Sequence, residues 1–229
     1  MKNNIDQYYT DFHKKRLNIH CYPSEFLIRT MLGSYPNLKL GQQYEGANIL
    51  DLGCGDGRNM ILFNNLKANI YGVEITQEIC DGVSQRMENF FGITTDIRVG
   101  RNSNIPFDDS FFDYVVASSS MYYVDEGQSF ETTLKELNRV IKPNGYLIAT
   151  LPHPKTFILE NAQEMPDSHF RIVNDPYGLR NGNIFKVFMD REHLLEEFSS
   201  DYEDISIGEM HDDYYGCNIS LWLFTGQKK

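Results

Sequence analysis

The sequence predicts an α/β domain, a mostly parallel sheet covered by helices on both faces. Three observations carry that expectation. Short apolar runs recur at residues 48–52, 70–74, 97–100, 114–118 and 146–151. Between them, apolar residues keep helical spacing, with Ile79, Val83, Met87 and Phe90 in one stripe and Phe130, Leu134, Leu137 and Ile141 in another. The first run ends in ILDLGCGDGRNM, where a strand meets a glycine-rich loop and then a helical segment from Arg58 to about Leu66. Strands alternating with amphipathic helices are the signature of a parallel sheet buried on both sides.

The elements follow in order. Residues 1–45 precede the first strand and read as helices, with Ser24 placed to cap a segment carrying Phe26, Leu27, Met31 and Leu32. After the fifth strand comes an irregular stretch, residues 153–188, bounded by prolines and holding an Asn181-Gly182 turn that can close a hairpin onto residues 184–188. A helix at 190–199 and two strands, 204–210 and 218–225, complete the chain. A long irregular segment in a compact domain is usually functional. Here it leaves the carboxyl edge of the sheet, where open α/β folds bind ligands. The 229 residues suit a single domain, 1–229, with 1–45 as a helical lid and 153–188 as an acceptor-side insertion.

Composition narrows the function classes. Net charge is −11, which disfavours a phosphate-backbone partner. The basic run His13-Lys14-Lys15-Arg16 reads as the solvated face of a helix. Cys21, Cys54, Cys80 and Cys217 are scattered, without the pairing of a zinc site or disulfide frame. With no apolar stretch of membrane-spanning length and no signal-peptide core, the expectation is a cytoplasmic protein with neither nucleic acid nor membrane as partner. A monomer or homodimer is expected, and no metal.

In the loop after the first strand, Asp51 is followed by Gly53, Gly55 and Gly57 at alternate positions. Glycines there permit positive φ and let backbone approach a ligand. The spacing is not G-x-G-x-x-G, and no Lys-Ser or Lys-Thr follows, so the phosphate-cradling loop is absent. Glu74 closes the second strand, where an acid can accept both hydroxyls of a ribose.

This loop resembles the first motif of the class I S-adenosylmethionine-dependent methyltransferases, of the small-molecule, type 11-like kind. Ile105-Pro106-Phe107, the run FFDYVVASSSMYY at 111–123 and LNRVIKPNGYLIATL at 137–151 resemble the same family's later motifs. The resemblance covers roughly residues 47–152. It implies a Rossmann-like three-layer sandwich whose seven-stranded sheet runs 3-2-1-4-5-7-6, mostly parallel with one antiparallel edge strand. It also implies S-adenosyl-L-methionine as cofactor. The loop from Asp51 through Gly53, Cys54, Gly55, Asp56, Arg58 and Asn59 would surround its methionine portion. Glu74 would take the ribose, Ile75 would pack on the adenine, and Ser118 and Ser119 would meet the amino group. Many members read the adenine with an acid after the third strand; this chain has Arg101-Asn102-Ser103 there, so Asn102 or Ser103 would serve instead. Tyr9 and Tyr22 resemble a closing segment, and Arg29 either reaches the cofactor carboxylate or makes an exposed ion pair.

The acceptor side rests on single residues. His153 follows the fifth strand and suits a general base, or is a loop histidine without catalytic duty. Tyr122 and Tyr123 line the methyl pocket or pack in the core. His169, Arg171, Asp175, Tyr177 and Arg180 make the insertion polar, and His211 to Tyr215 form a second polar cluster that could bind a hydroxylated acceptor or a metal. The expected function is methyl transfer to a small polar metabolite, with a sugar or nucleotide sugar of surface-polysaccharide synthesis as the lean. The alternatives are a quinone or lipid methyltransferase and a non-catalytic cofactor-binding protein of the same fold.

Overall fold

The computed structural model describes residues 5–15 and 21–229. Residues 1–4 and 16–20 of the expected lid, Arg16 of the basic run among them, lie outside the described residues. The strands are β1 (Asn48–Leu52), β2 (Asn69–Glu74), β3 (Asp96–Val99), β4 (Phe112–Ser118), β5 (Tyr123–Val124), β6 (Ile141–Pro152), β7 (Gln163–Met165), β8 (His169–Arg171), β9 (Ile184–Lys186), β10 (Tyr202–Tyr214) and β11 (Cys217–Lys228). The helices are α1 (Ile5–Lys14), α2 (Glu25–Leu32), α3 (Met60–Asn65), α4 (Gln77–Arg86), α5 (Phe130–Val140) and α6 (Arg191–Phe198).

Seven strands form the main sheet in the order β10-β11-β6-β4-β1-β2-β3. Counting only these strands along the chain, that is the expected 3-2-1-4-5-7-6 read from the other end. β1, β2, β3, β4 and β6 pair in parallel. β11 runs antiparallel to both β6 and β10. The expected antiparallel strand is β11, which pairs with β10 at that edge of the sheet. β10 and β11 are joined tightly at Tyr215-Gly216, both with positive φ, and a hairpin must reverse direction. The strand that follows the α6 crossover takes the outer place, and its hairpin partner fills the gap beside β6.

Alternate residues of the central strands feed two cores. Leu50, Val115 and Leu147 face one cluster, with Phe130 and Leu137 of α5 and Phe198 of α6. Ile49, Val116 and Ile148 face the other, with Leu27 and Met31 of α2, Phe63 of α3 and Val83 of α4. The two-residue period of a strand sends neighbours to opposite faces, which is why every central strand reads as a continuous apolar run. Two details of the helical stripes differ from expectation. The turn after α4 widens over Met87–Phe91 and leaves Phe90 63 % exposed, and Ile141 opens β6 instead of ending α5.

The 153–188 segment carries its own structure. β7, β8 and β9 join β5 in a small antiparallel sheet of order β5-β9-β8-β7. Its return through Asn181-Gly182 uses a Gly182 φ of 88°. The indole N–H of Trp222 on β11 donates to the Phe188 carbonyl at 2.8 Å, tying the segment to the main sheet.

Candidate active site

A cavity of about 480 Å³ opens at the carboxyl ends of β1, β2 and β4. One wall is the glycine loop. Gly53, Gly55 and Gly57 take φ of 69°, 59° and 76°, and a Cβ on Gly53 would sit 2.7 Å from the Ser120 Cβ. Such a cradle exists only without side chains. Gly53 and Cys54 donate their N–H groups to the Val73 carbonyl at 2.9 and 3.2 Å, so the turn is stitched to the end of β2.

Glu74 closes β2 and is buried. Its Oε1 accepts from the Gly55 N–H at 2.8 Å and its Oε2 from the Ile75 N–H at 2.9 Å. Burial raises its pKa, and those two N–H groups work against the rise. Each oxygen keeps a second lone pair for a ligand hydroxyl. Asp51 lies deeper, 1 % exposed, behind the loop. Neither of its oxygens has a hydrogen-bond partner of normal geometry, although the Asn59 amide lies alongside. Burial first, and then the charges of Glu74 and Asp56, push its pKa up to about 7. An orphaned carboxylate behind a Cβ-free loop can meet a cationic group of a ligand lying along that loop.

Neighbouring residues hold this wall in place. Asn59 Oδ1 accepts from the backbone N–H and the hydroxyl of Ser24, both at 3.1 Å. Ser24 thus starts α2 without a side-chain cap, its hydroxyl serving the loop instead. Arg58 pairs with Asp56 through two nitrogens at 3.1 and 3.2 Å. Ile75, Ser118, Ser119, Cys54, Asp56, Arg58 and Asn59 all line the cavity. After β3, Arg101 pairs with Asp6 at 2.5 Å and Asp125 at 3.0 Å. Asn102 donates its amide to the carbonyls of Ser120 and Tyr123, leaving its own oxygen as acceptor. Ser103 instead donates to Asp125 and lies outside the lining.

The opposite wall comes from α1, β5 and the loop between β8 and β9. The Tyr9 hydroxyl donates to that of Tyr123 at 3.0 Å. Burial pushes both phenols well above their ordinary pKa, so both are neutral. Leu179, Arg180 and Asn183 complete the wall. Of the insertion's polar residues named above, only Arg180 lines the cavity, with Asp175 beneath it.

Several expected residues are not brought here. Tyr22 is 77 % exposed, and Arg29 makes the exposed ion pair with Glu25 on α2 at 2.7 Å. Tyr122 is buried against Tyr123 and Phe185 outside the lining, with ring centroids at 5.0 and 4.8 Å. His153 is turned from the cavity, packed 4.5 Å from the Trp222 ring and 5.0 Å from that of His211. The reason is register: Leu221 pairs with Pro152, and the His153 N–H donates to the Ser220 carbonyl, so β11 covers the histidine.

His153, Glu209 and His211 form the one group among the described residues with donor atoms close enough to share a metal ion. Hydrogen bonding argues against it. His153 Nδ1 accepts from the Lys155 N–H at 3.1 Å, which leaves the proton on Nε2. The Ser220 hydroxyl donates to Asn218, so it accepts from His211 Nδ1–H, and His211 Nε2 lies 3.2 Å from the Glu209 carboxylate.

Asp6, Ser120, Asp125 and Asn183 also line the cavity, beyond the expected residues. Asp6, Asp125 and Asn183 are single polar residues that only the tertiary fold brings together, whereas Ser120 continues the Ser118-Ser119 pair named in the sequence.

Comparison with known proteins agrees with this geometry. Residues 50–149 match the methyltransferase domain family. A demethylmenaquinone methyltransferase of Staphylococcus saprophyticus is 24 % identical over 79 % of this chain and 75 % of its own. A fatty-acid O-methyltransferase of Mycolicibacterium smegmatis is 27 % identical over 82 % and 66 %. Among solved structures, a methyltransferase of Methanosarcina mazei superposes with a TM-score of 0.62 at 20 % identity, covering 85 % of this chain and 98 % of its own. One from Thermotoga maritima, described as a possible histamine N-methyltransferase, does so with 0.63 at 18 %, covering all of both. No helix among the described residues is long and apolar enough to cross a membrane. The chain therefore carries a methyltransferase domain over residues 50–149, with the fold of S-adenosylmethionine-dependent methyltransferases.

Proposed function

We propose that the chain methylates a small polar acceptor bound between the glycine loop and the wall formed by Tyr9, Tyr123, Arg180 and Asn183. The cofactor supplies a methyl group already activated by its sulfonium charge, so the protein's task is binding, orientation and exclusion of water. Asp51 and the loop from Gly53 to Asn59 would hold the methionine portion, and Glu74 the ribose hydroxyls. Ile75 would flank the adenine, Asn102 would accept from its amino group, and Ser118 and Ser119 would meet the cofactor's amino group. α1 and residues 153–188, as lid and acceptor-side insertion of one domain, would cover the reacting pair.

The observation that supports a polar acceptor is the composition of that wall: two phenols, a guanidinium and an amide converge on one cavity. A long isoprenoid or acyl tail would leave the guanidinium N–H groups of Arg180 that do not reach Asp175 facing apolar chain, at about 1–3 kcal/mol each. The quinone reading keeps one support, the demethylmenaquinone methyltransferases among the relatives. A panel of sugars, nucleotide sugars, small aromatic acids and demethylated quinols, assayed for formation of S-adenosylhomocysteine, separates the two. Turnover confined to the polar members is expected; turnover confined to tailed quinols would replace this reading with the second.

A further inference from the structure

We infer that Arg180 selects the acceptor, and that the acceptor carries an anionic oxygen group, a carboxylate or a phosphate, which the guanidinium binds beside Tyr9 and Tyr123. This rests on the methyl-transfer reading above and narrows its substrate class. The cavity's other arginines are committed: Arg58 forms a fork on Asp56, and Arg101 bridges Asp6 and Asp125. Arg180 differs from both. Its only acidic partner among the described residues, Asp175, has a side chain of 0 % exposure. The oxygens of that carboxylate already accept from the backbone N–H groups of Tyr177, Leu179 and Arg180 at 3.1, 3.1 and 2.9 Å. The main chain thus meets most of the Asp175 charge. A single guanidinium nitrogen reaches it, at 3.4 Å from each oxygen. Asp175 shapes the turn that presents Arg180 and does little to neutralise it.

The side chain of Arg180 remains 30 % exposed in the cavity wall. A guanidinium offers five N–H donors in a planar fork that matches a carboxylate or phosphate with two parallel bonds. Tyr9 and Tyr123 stand next to it as neutral phenols, so they add no negative charge of their own. A neutral acceptor would leave a partly desolvated cation with donors unpaired, whereas an anion satisfies both charge and geometry. Sites built for a specific hydrogen-bonding group reject analogues that lack it far more strongly than apolar pockets reject a change of size.

The test uses the full chain saturated with S-adenosylhomocysteine, titrated calorimetrically with matched probes: benzoate against benzamide, and glucose 1-phosphate against methyl glucoside. In the wild type at least one anionic probe should bind about tenfold or more tighter than its neutral partner, and the pair showing the larger ratio tells carboxylate from phosphate. Arg180→Gln should abolish the preference and Arg180→Lys retain part of it, with S-adenosylhomocysteine affinity unchanged within about twofold in each. Equal binding within both pairs, no binding of either anion up to about 10 mM, or a preference that survives Arg180→Gln overturns the inference. The wild-type comparison decides even if a variant fails to fold. Failure of the wild type to bind S-adenosylhomocysteine at all is a different result, and it would bring down the methyl-transfer reading together with this one.

Discussion

The two walls of the cavity are built on opposite plans. The wall proposed to hold the cofactor runs almost unbroken from Asp51 to Asn59, with Glu74 and Ile75 as neighbours. Its geometry is set by backbone: three glycines with positive φ, and a carboxylate pinned by the N–H groups of Gly55 and Ile75. The wall proposed to face the acceptor draws Tyr9 from α1, Tyr123 from β5, and Arg180 and Asn183 from the loop before β9, and side chains form its surface. A wall made of backbone tolerates little change, because each substitution alters the path of the chain. A wall made of side chains can be rebuilt one residue at a time without disturbing the sheet. On the proposed function, the first would define the class of reaction and the second the substrate.

The largest effect should come from breaking the backbone wall. Gly55 holds a φ of 59°, and a Cβ there would lie 3.0 Å from the His13 ring. Gly55→Val should lower affinity for S-adenosylmethionine by about 100-fold or more, the strained φ and the filled cradle each costing about 1–3 kcal/mol. Circular dichroism should show the fold retained. Unchanged affinity by calorimetry would mean that the loop is only a tight turn.

Glu74 comes next. Glu74→Ala should weaken cofactor binding by about 1–3 kcal/mol. A cofactor analogue without ribose hydroxyls should lose affinity in the wild type and little more in the variant. Full additivity of the two losses would place the ribose elsewhere.

This asymmetry also explains what was legible in the sequence. The sheet order, the two-faced strands and the glycine loop are local patterns, and the order of motifs fixed their arrangement. Glu74 could be found because a strand end is a sequence feature. Asp6, Asp125 and Asn183 could not, since nothing near them in the chain announces a cavity. His153 shows the opposite error. Its position just after β6 is at the ligand edge, as expected, but its direction depends on β11 covering that strand end, and register between distant strands is not written locally.

Asp51 sharpens the contrast because it should shift binding and stability in opposite senses. In the free protein its pKa stands at about 7, above the ordinary carboxylate value. A group whose folded pKa is raised contributes stability at low pH, which is lost as pH rises from about 4 towards 7. Above pH 7 the free protein holds a buried, unpartnered charge. Asp51→Asn should therefore raise the Tm of the free protein at pH 8. If the ionised carboxylate meets a cationic part of the cofactor, wild-type affinity should fall by up to about tenfold per pH unit below 7, and the variant should bind weakly with a flat profile. A variant that binds as tightly as wild type, with the same pH profile, would remove Asp51 from the cofactor wall.

The smallest effect on activity is expected at His153, and it separates position from participation. A general base beside the methyl would contribute about 100-fold or more to turnover. The structure instead gives His153 an aromatic packing role, a backbone N–H on Nδ1 and no share in the cavity wall. His153→Gln should thus leave turnover within about threefold and cost about 1 kcal/mol of stability through the lost packing and hydrogen bond. The pH dependence has a defined sign. Burial, and then the charge of His211, lower the pKa of His153 below its ordinary 6.5. A base with a lowered folded pKa contributes its full stability above the unfolded value, and part of it is lost as pH falls from 6.5 towards the folded pKa. Thermal melts from pH 8 to 5 should show the wild type losing more stability on acidification than His153→Gln, while the kcat profiles of the two coincide. A large fall in kcat with unchanged Tm would return the histidine to the acceptor wall, and would require the β11 end to move during turnover.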